Sequence, residues 1–303
     1  MVLLTSLPTD CFKTAGKGTN LYKLLPMSGS MELFYIPNVT TDLVVLENEQ
    51  FKHAVKALRK SQGDTIRFTD GKGVIYEGTI QDIERRTAAI YIQHRREAVR
   101  PEYHVRICVS LTKNIKRIEW ALEKITEMGI SRITPVICHR SERSTFNRDR
   151  LTKILISAMK QSQQAFLPIL DDPMAFGDLI ASFDLNRNMR TDNSDNSYNS
   201  DHNDQRGDHS DNSDQSDKNT PTFHQNDNLQ RYIAHKSDTS ISLKDNYTRG
   251  SDVVILVGPE GDFTDEELEL AGKANFTALS LGHNRLRTET AAVVAVASVH
   301  AMN

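Results

Sequence analysis

Cysteine is scarce in this chain: Cys11, Cys108 and Cys138 are its only three in 303 residues, far apart and without a CxxC pair. That excludes a small secreted fold stapled by closely spaced disulfides and fits a reducing compartment. Cys108 and Cys138 fall within apolar, strand-like runs, where a thiol is expected to be buried as a small hydrophobe and not to act as a nucleophile. Long apolar runs are missing too. None approaches the roughly 20 residues that cross a bilayer, and Pro8, Asp10 and Lys13 interrupt the first thirty residues where a secretory segment would be continuously apolar. A cytoplasmic protein with no membrane partner is the expectation.

Charge of one sign is also lacking overall, since 37 Lys and Arg stand against 40 Asp and Glu, but the balance is uneven along the chain. Residues 184–228 hold ten Asp against four Lys and Arg, so the rest of the chain is net positive. Residues 101–170 hold twelve Lys and Arg against six acids, a density expected where phosphates are neutralised. With 38% apolar residues the chain can bury two ordinary cores.

Its organisation reads as a small β-barrel over residues 31–100 and an α/β domain over 101–303. Short strands are expected at 34–36, 65–69, 74–80 and 88–93, with a turn at Asp70-Gly71-Lys72-Gly73 and one amphipathic helix over 51–60. After Arg100-Pro101 come a strand at 105–111, a helix at 115–128 closed by Gly129, a strand at 133–138 and a helix at 151–166, a succession that argues a parallel sheet. Residues 1–30 read as a disordered extension. The Asn, Asp and Ser tract 186–228 reads as a disordered insertion, with too little apolar surface to offset ordering entropy. No calcium-loop spacing recurs in it, and no metal is expected. The strand resumes at 231–235, and the chain closes on an Ala- and Val-rich helix at 289–302.

Two glycine loops, each following an apolar strand, carry the functional signal: Gly258-Pro259-Glu260-Gly261-Asp262-Phe263 and Leu281-Gly282-His283-Asn284-Arg285-Leu286-Arg287-Thr288-Glu289-Thr290. Val253–Val257 is short and β-branched enough to be a buried strand, so the glycines fall at the carboxyl edge of a sheet, where α/β proteins bind ligands. Glu260, Asp262, Asp265, Glu266 and Glu267 would repel a phosphorylated ligand, which favours a cationic or neutral one. Thr264 and Glu267 have capping-box spacing, which accounts for part of this acidity as helix-start chemistry.

The two loops, with Leu33-Phe34-Tyr35-Ile36-Pro37, Asp70-Gly71-Lys72-Gly73, Thr112-Lys113-Asn114 and Glu123-Lys124-Ile125-Thr126-Glu127-Met128-Gly129, resemble the 16S ribosomal RNA uracil-N3 methyltransferase family of the SPOUT class. The resemblance runs from about residue 31 to the end with one interruption. It departs from the family at His283-Asn284-Arg285, where many relatives carry a proline-arginine run, while Leu286-Arg287-Thr288-Glu289-Thr290-Ala291 matches directly.

The resemblance implies a trefoil-knotted parallel-sheet methyltransferase domain behind a PUA-like RNA-binding barrel, working as a homodimer whose last helix lies at the interface. It implies S-adenosylmethionine held by Val257, Gly258, Pro259, Glu260, Gly261, Leu281, Gly282 and Leu286, and 16S ribosomal RNA or the small subunit as partner. Arg287 would stabilise charge on uracil oxygens, and Glu289 would accept the N3 proton or else cap the helix and orient the arginine. RNA would be gripped by Lys113, Lys116, Arg117, Arg140, Arg143 and Lys160, with Lys52, His53 and Arg59 from the barrel. Two rival readings stay open: an RNA-binding assembly factor with a weakened loop, and a methyltransferase for another nucleotide.

Overall fold

The computed structural model describes residues 32–191, 229–237 and 239–303. The expected extension 1–30 lies outside them, as does nearly all of the expected insertion.

The amino-terminal part is a five-stranded sheet of β1 (Leu33–Tyr35), β2 (Leu43–Glu47), β3 (Thr65–Thr69), β4 (Val74–Ile83) and β5 (Thr87–Glu97), ordered β1-β3-β4-β5-β2. Only β1 and β3 pair in parallel; the other ladders are antiparallel. Alternation puts Phe34, Leu46, Ile66, Phe68, Ile80 and Ile90 inside, each almost wholly buried. The single helix expected over 51–60 is corrected. An α-helical turn, α1 (Asn48–Phe51), starts earlier and continues as a π-helical stretch over Lys52–Ala57, with the Leu58 amide donating to the His53 carbonyl at 2.9 Å. Asn48 and Arg59 take left-handed backbone at φ 57° and 56°, so the chain turns sharply in and out of the segment while Phe51 and Ala54 remain buried.

The rest of the chain builds an eight-stranded sheet from β6 (Val105–Ser110), β7 (Arg132–Ile137), β8 (Ile169–Leu170), β9 (Met174–Ala175), β10 (Gln230–Ala234), β11 (Ile241–Ser242), β12 (Val253–Val257) and β13 (Thr277–Ser280). Its order is β11-β13-β10-β12-β6-β7-β8, with β9 also on β7, and every ladder is parallel. β12 shows why this stretch folds as a central strand. Val253, Ile255 and Val257 face one core, with β6, α2 (Ile115–Glu127), α3 (Arg148–Gln161) and α7 (Thr288–Met302). Val254 and Leu256 face the other, with α4 (Phe176–Thr191) and α6 (Asp265–Lys273). A strand covered by helices on both sides must be apolar at every position, unlike a half-exposed strand. The short α5 (Leu243–Asn246) completes the element set.

α4 corrects the sequence-based boundary of the insertion, because it remains helical through Thr191, past Asn186. Phe176, Leu179, Ile180 and Phe183 anchor it in the second core. Once nucleated, a helix adds one hydrogen bond per residue fixed, so it outruns its apolar anchor. The two sheets meet through segment 165–167, where the Gly73 amide donates to the Ala165 carbonyl at 3.0 Å and the Leu167 amide to the Gly71 carbonyl at 2.8 Å.

Candidate active site

Because all the large-sheet strands run in parallel, the segments leaving β6, β7, β10, β12 and β13 emerge on one edge. A cavity of about 640 Å³ opens there, within the roughly 300–1,000 Å³ of small-molecule sites. Its lining comes from three segments: Ala234, His235 and Lys236 after β10; Val257–Glu260 and Asp262 around the first glycine loop; and Leu281–Gly282 and Asn284–Thr288 in the second. β10 lies between β12 and β13, so the two glycine loops flank the β10 tip instead of following neighbouring strands.

Hydrogen bonds tie the three segments together. The Thr288 hydroxyl donates to the Gly258 carbonyl at 2.9 Å, Arg285 Nη2 to the Glu260 carbonyl at 3.2 Å, and Lys236 Nζ to the His283 carbonyl at 2.6 Å. Leu279, Leu281, Leu286, Val257 and Ala291 form an apolar floor. Gly282 sits at φ 126° with nothing within 4 Å of where a Cβ would stand, so it is a turn glycine beside open space. Gly258 answers a different need: a Cβ there would come within 2.9 Å of the buried Phe263 ring.

Of the residues expected to hold the methyl donor, Val257, Gly258, Pro259, Glu260, Leu281, Gly282 and Leu286 line this cavity, and Gly261 does not. Gly261 packs against Arg140, whose Nη1 donates to the carbonyls of Gly261 at 2.8 Å and Phe263 at 3.1 Å. Arg140 therefore braces the first loop. Arg287 lines the cavity, whereas Glu289 lies outside the lining, 7% exposed in the first turn of α7, with Arg117 Nε 3.8 Å from Oε1 and no hydrogen bond to Oε2.

The electrostatic reading of the loop is corrected by this geometry. Asp265, Glu266 and Glu267 belong to the start of α6. There Thr264 and Glu267 form the capping box, and Glu267 Oε1 also accepts from the His139 amide at 2.7 Å. The Glu266 carboxyl is held below the usual range by hydrogen bonds to its own amide and to Thr264. Only Glu260 and Asp262 bring negative charge to the cavity, and Lys236, Arg285 and Arg287 bring positive charge. The lining suits a ligand carrying both signs, and charge alone does not exclude phosphate.

Lys113, Lys116, Arg117, Arg140 and Arg143 lie on the loops and helix start after β6 and β7, on the same sheet edge as the cavity. Lys113 pairs with Glu142 at 3.1 Å, and Arg143 Nη2 donates to the Lys113 carbonyl at 3.3 Å. Lys160 sits at the far end of α3, which runs back from that edge, and Lys52, His53 and Arg59 sit on and just after the π-helical stretch of the small sheet. Part of the positive density of residues 101–170 is internal: Arg106 and Arg132 pair with Asp171, Arg150 with Glu119, and Lys124 with Glu123 and Glu127.

Sequence reasoning missed His235 and Lys236 as lining residues, and it placed Asp262, Asn284 and Arg285 in the ligand loops without singling them out as contacts. The signal for His235 and Lys236 was their place just past an apolar strand, at the same edge as the glycine loops.

Residues 99–212 and 214–300 match the family of the RNA methyltransferase domain, and residues 46–92 match the RNA methyltransferase PUA domain. The chain belongs to the RNA methyltransferase family. Its small sheet is thus PUA-like. The chain is 27% identical over 260 residues to ribosomal RNA small subunit methyltransferase E of Rickettsia conorii, an alignment covering 84% of this chain and 88% of that protein. The protein of the same name from Aquifex aeolicus is 23% identical over 273 residues, covering 89% and 98%. Among solved structures, a probable rRNA-methyltransferase from Porphyromonas gingivalis superposes with a TM-score of 0.71 at 29% identity, over 90% of this chain and 98% of that one. A ribosomal RNA small subunit methyltransferase E from Neisseria gonorrhoeae, bound to S-adenosyl methionine, shares the fold with a TM-score of 0.67 at 24% identity, over 89% and 97%.

Proposed function

We propose that this chain is a methyltransferase that transfers a methyl group from S-adenosylmethionine to N3 of a uridine in the 16S RNA of the small ribosomal subunit. The observation that carries the reading is the cavity at the carboxyl edge of the parallel sheet, in a chain of the RNA methyltransferase family, lined by both glycine loops and by charges of both signs. S-adenosylmethionine is a zwitterion with an added sulfonium charge, and when bound it supplies a methyl group already activated for transfer. Leu279, Leu281, Leu286 and Val257 offer apolar contact to its adenine. Gly258 and Gly282 let the backbone approach, and Glu260 offers a carboxylate to its cationic groups.

What remains for the protein is positioning, which can account for several kcal/mol of barrier, and removal of the N3 proton. Arg287, on the cavity wall, has the rigid donor fork to stabilise negative charge gathering on uracil oxygens. Lys113, Lys116 and Arg143 carry the RNA backbone toward the same edge, with Lys52, His53 and Arg59 of the PUA-like sheet extending the contact. The chain acts as a homodimer in the cytoplasm, with the trefoil knot of the SPOUT class around the second loop. Val293, Val294 and Ala297 of α7 are only half-buried, and Trp120 of the adjoining α2 is 47% exposed, a surface that a second copy would cover.

The test is nucleoside mass mapping of small-subunit RNA from cells lacking the gene. Loss of one N3-methyluridine, restored by the intact gene, supports the reading. An unchanged nucleoside set, or loss of a different methylated nucleotide, overturns it.

A further inference from the structure

The reaction also needs a proton acceptor for N3 on the cavity wall. Glu289 is buried outside the cavity lining. His235, at the tip of β10, does line it. Its Nδ1 lies 3.2 Å from Asp262 Oδ2 and 3.4 Å from Oδ1. An ionised carboxylate only accepts, so in the neutral ring Nδ1 carries the hydrogen and Nε2 keeps its lone pair. Among the described residues no hydrogen bond engages Nε2.

Asp262 supplies a second observation. Its backbone stands at φ 63°, left-handed territory where a non-glycine residue is uncommon and Asp is among the few that enter. The position is the fifth of a loop that already uses two glycines. An aspartate held there places its carboxylate against the imidazole and also accepts from the Phe263 amide at 2.8 Å.

We infer that His235 is a catalytic residue that takes the proton from uridine N3, and that Asp262 is a positioning residue that fixes its tautomer and ring orientation. This rests on the methyltransferase reading above. The N3–H bond breaks and its proton passes to Nε2. The electron pair left on N3 forms the bond to the methyl carbon, and the carbon–sulfur pair returns to sulfur, which leaves as a neutral thioether. The imidazolium then gives its proton to solvent. The charged groups that line the cavity with the ring are Lys236 on its own segment, Glu260 and Asp262 on the first loop, and Arg285 and Arg287 on the second.

The experiment uses the full chain with S-adenosylmethionine and small subunits lacking the modification, in wild type, His235→Asn and Asp262→Gly. Asp262→Gly removes the carboxylate while relaxing the left-handed backbone, so it separates chemistry from folding. For His235→Asn, kcat should fall about 100-fold or more, while donor binding by calorimetry is retained. Its pH profile should lose the limb that rises through imidazole titration and instead climb steadily with hydroxide. Asp262→Gly should show a smaller loss of kcat with KM unchanged, because the base is still present but no longer held in one tautomer and orientation. A His235→Asn enzyme with kcat within a few-fold of wild type, roughly an order below what a general base contributes, or with an unchanged pH profile, overturns the inference. So does an Asp262→Gly enzyme with unchanged kcat. If wild type itself forms no N3-methyluridine, it is the methyltransferase reading that fails.

Discussion

Gly258→Ala probes the first loop at its tightest point. A Cβ there would lie 2.9, 3.1 and 3.2 Å from Cε2, Cδ2 and Cζ of Phe263, the first closer than such contacts come and the other two tight enough that the ring must give. The ring has little room to retreat: Phe263 is 3% exposed and tilts against Phe176 at 5.6 Å within the core under α4. Overpacking of this kind costs about 1–3 kcal/mol, and for a protein of this size each kcal/mol lowers Tm by roughly 2–4 °C. The variant should therefore melt about 2–12 °C lower. The loop should also move away from Phe263, and because the Gly258 carbonyl accepts from Thr288, the displacement reaches the start of α7. Affinity for S-adenosylmethionine, read by calorimetry, should fall with it. The control is the same substitution in Phe263→Leu, where the three clashing ring atoms are gone. There the added methyl should carry little penalty, and the double-mutant cycle should show a coupling of about 1 kcal/mol or more. Equal melting and equal affinity for Gly258→Ala, or an additive cycle, would refute the steric reasoning.

Arg140→Ala removes both bonds that brace the first loop, so donor affinity should drop several-fold, about what two partly exposed charge-assisted bonds supply; a loss confined to RNA affinity would return Arg140 to the role read from sequence. Lys116→Ala should weaken RNA binding and lower the slope of log affinity against log salt by about 0.7 to 0.9, measured by fluorescence titration. Burial pushes the Cys138 thiol up to about 12 and also raises that of Cys108. Neither should react with maleimide in the folded protein at pH 8, as read by peptide mass spectrometry. From about pH 9 upward the unfolded thiolates form first, so the folded state binds the extra protons and stability should fall as pH climbs toward 12. Glu289→Gln should leave kcat within about tenfold, below the usual contribution of a general base, because the carboxylate lies off the cavity wall.

Local pattern made most of the fold legible. The all-apolar Val253–Val257, the Thr264 and Glu267 spacing and the Ala-rich last helix each determine an element through neighbouring residues alone, and each is observed. Non-local features were not legible. The placement of β10 between β12 and β13 depends on a parallel ladder formed across the insertion, and nothing near Gln230–Ala234 signals which strands it joins. His235 carries no motif of its own and acquires meaning only when the ladder sets it against Asp262, 27 positions away. Arg140 likewise looked like one more surface cation until its distance to the loop carbonyls was known. The π-helical stretch after Phe51 lies between left-handed residues at Asn48 and Arg59, backbone choices that periodicity does not encode.

Titration of S-adenosylmethionine into the purified chain, followed by calorimetry with wild type and Leu281→Asp, tests the central claim most directly. Saturable uptake by wild type, abolished when a carboxylate is placed on the apolar floor, is the predicted result. No heat of binding to wild type, with or without small-subunit RNA present, would contradict it.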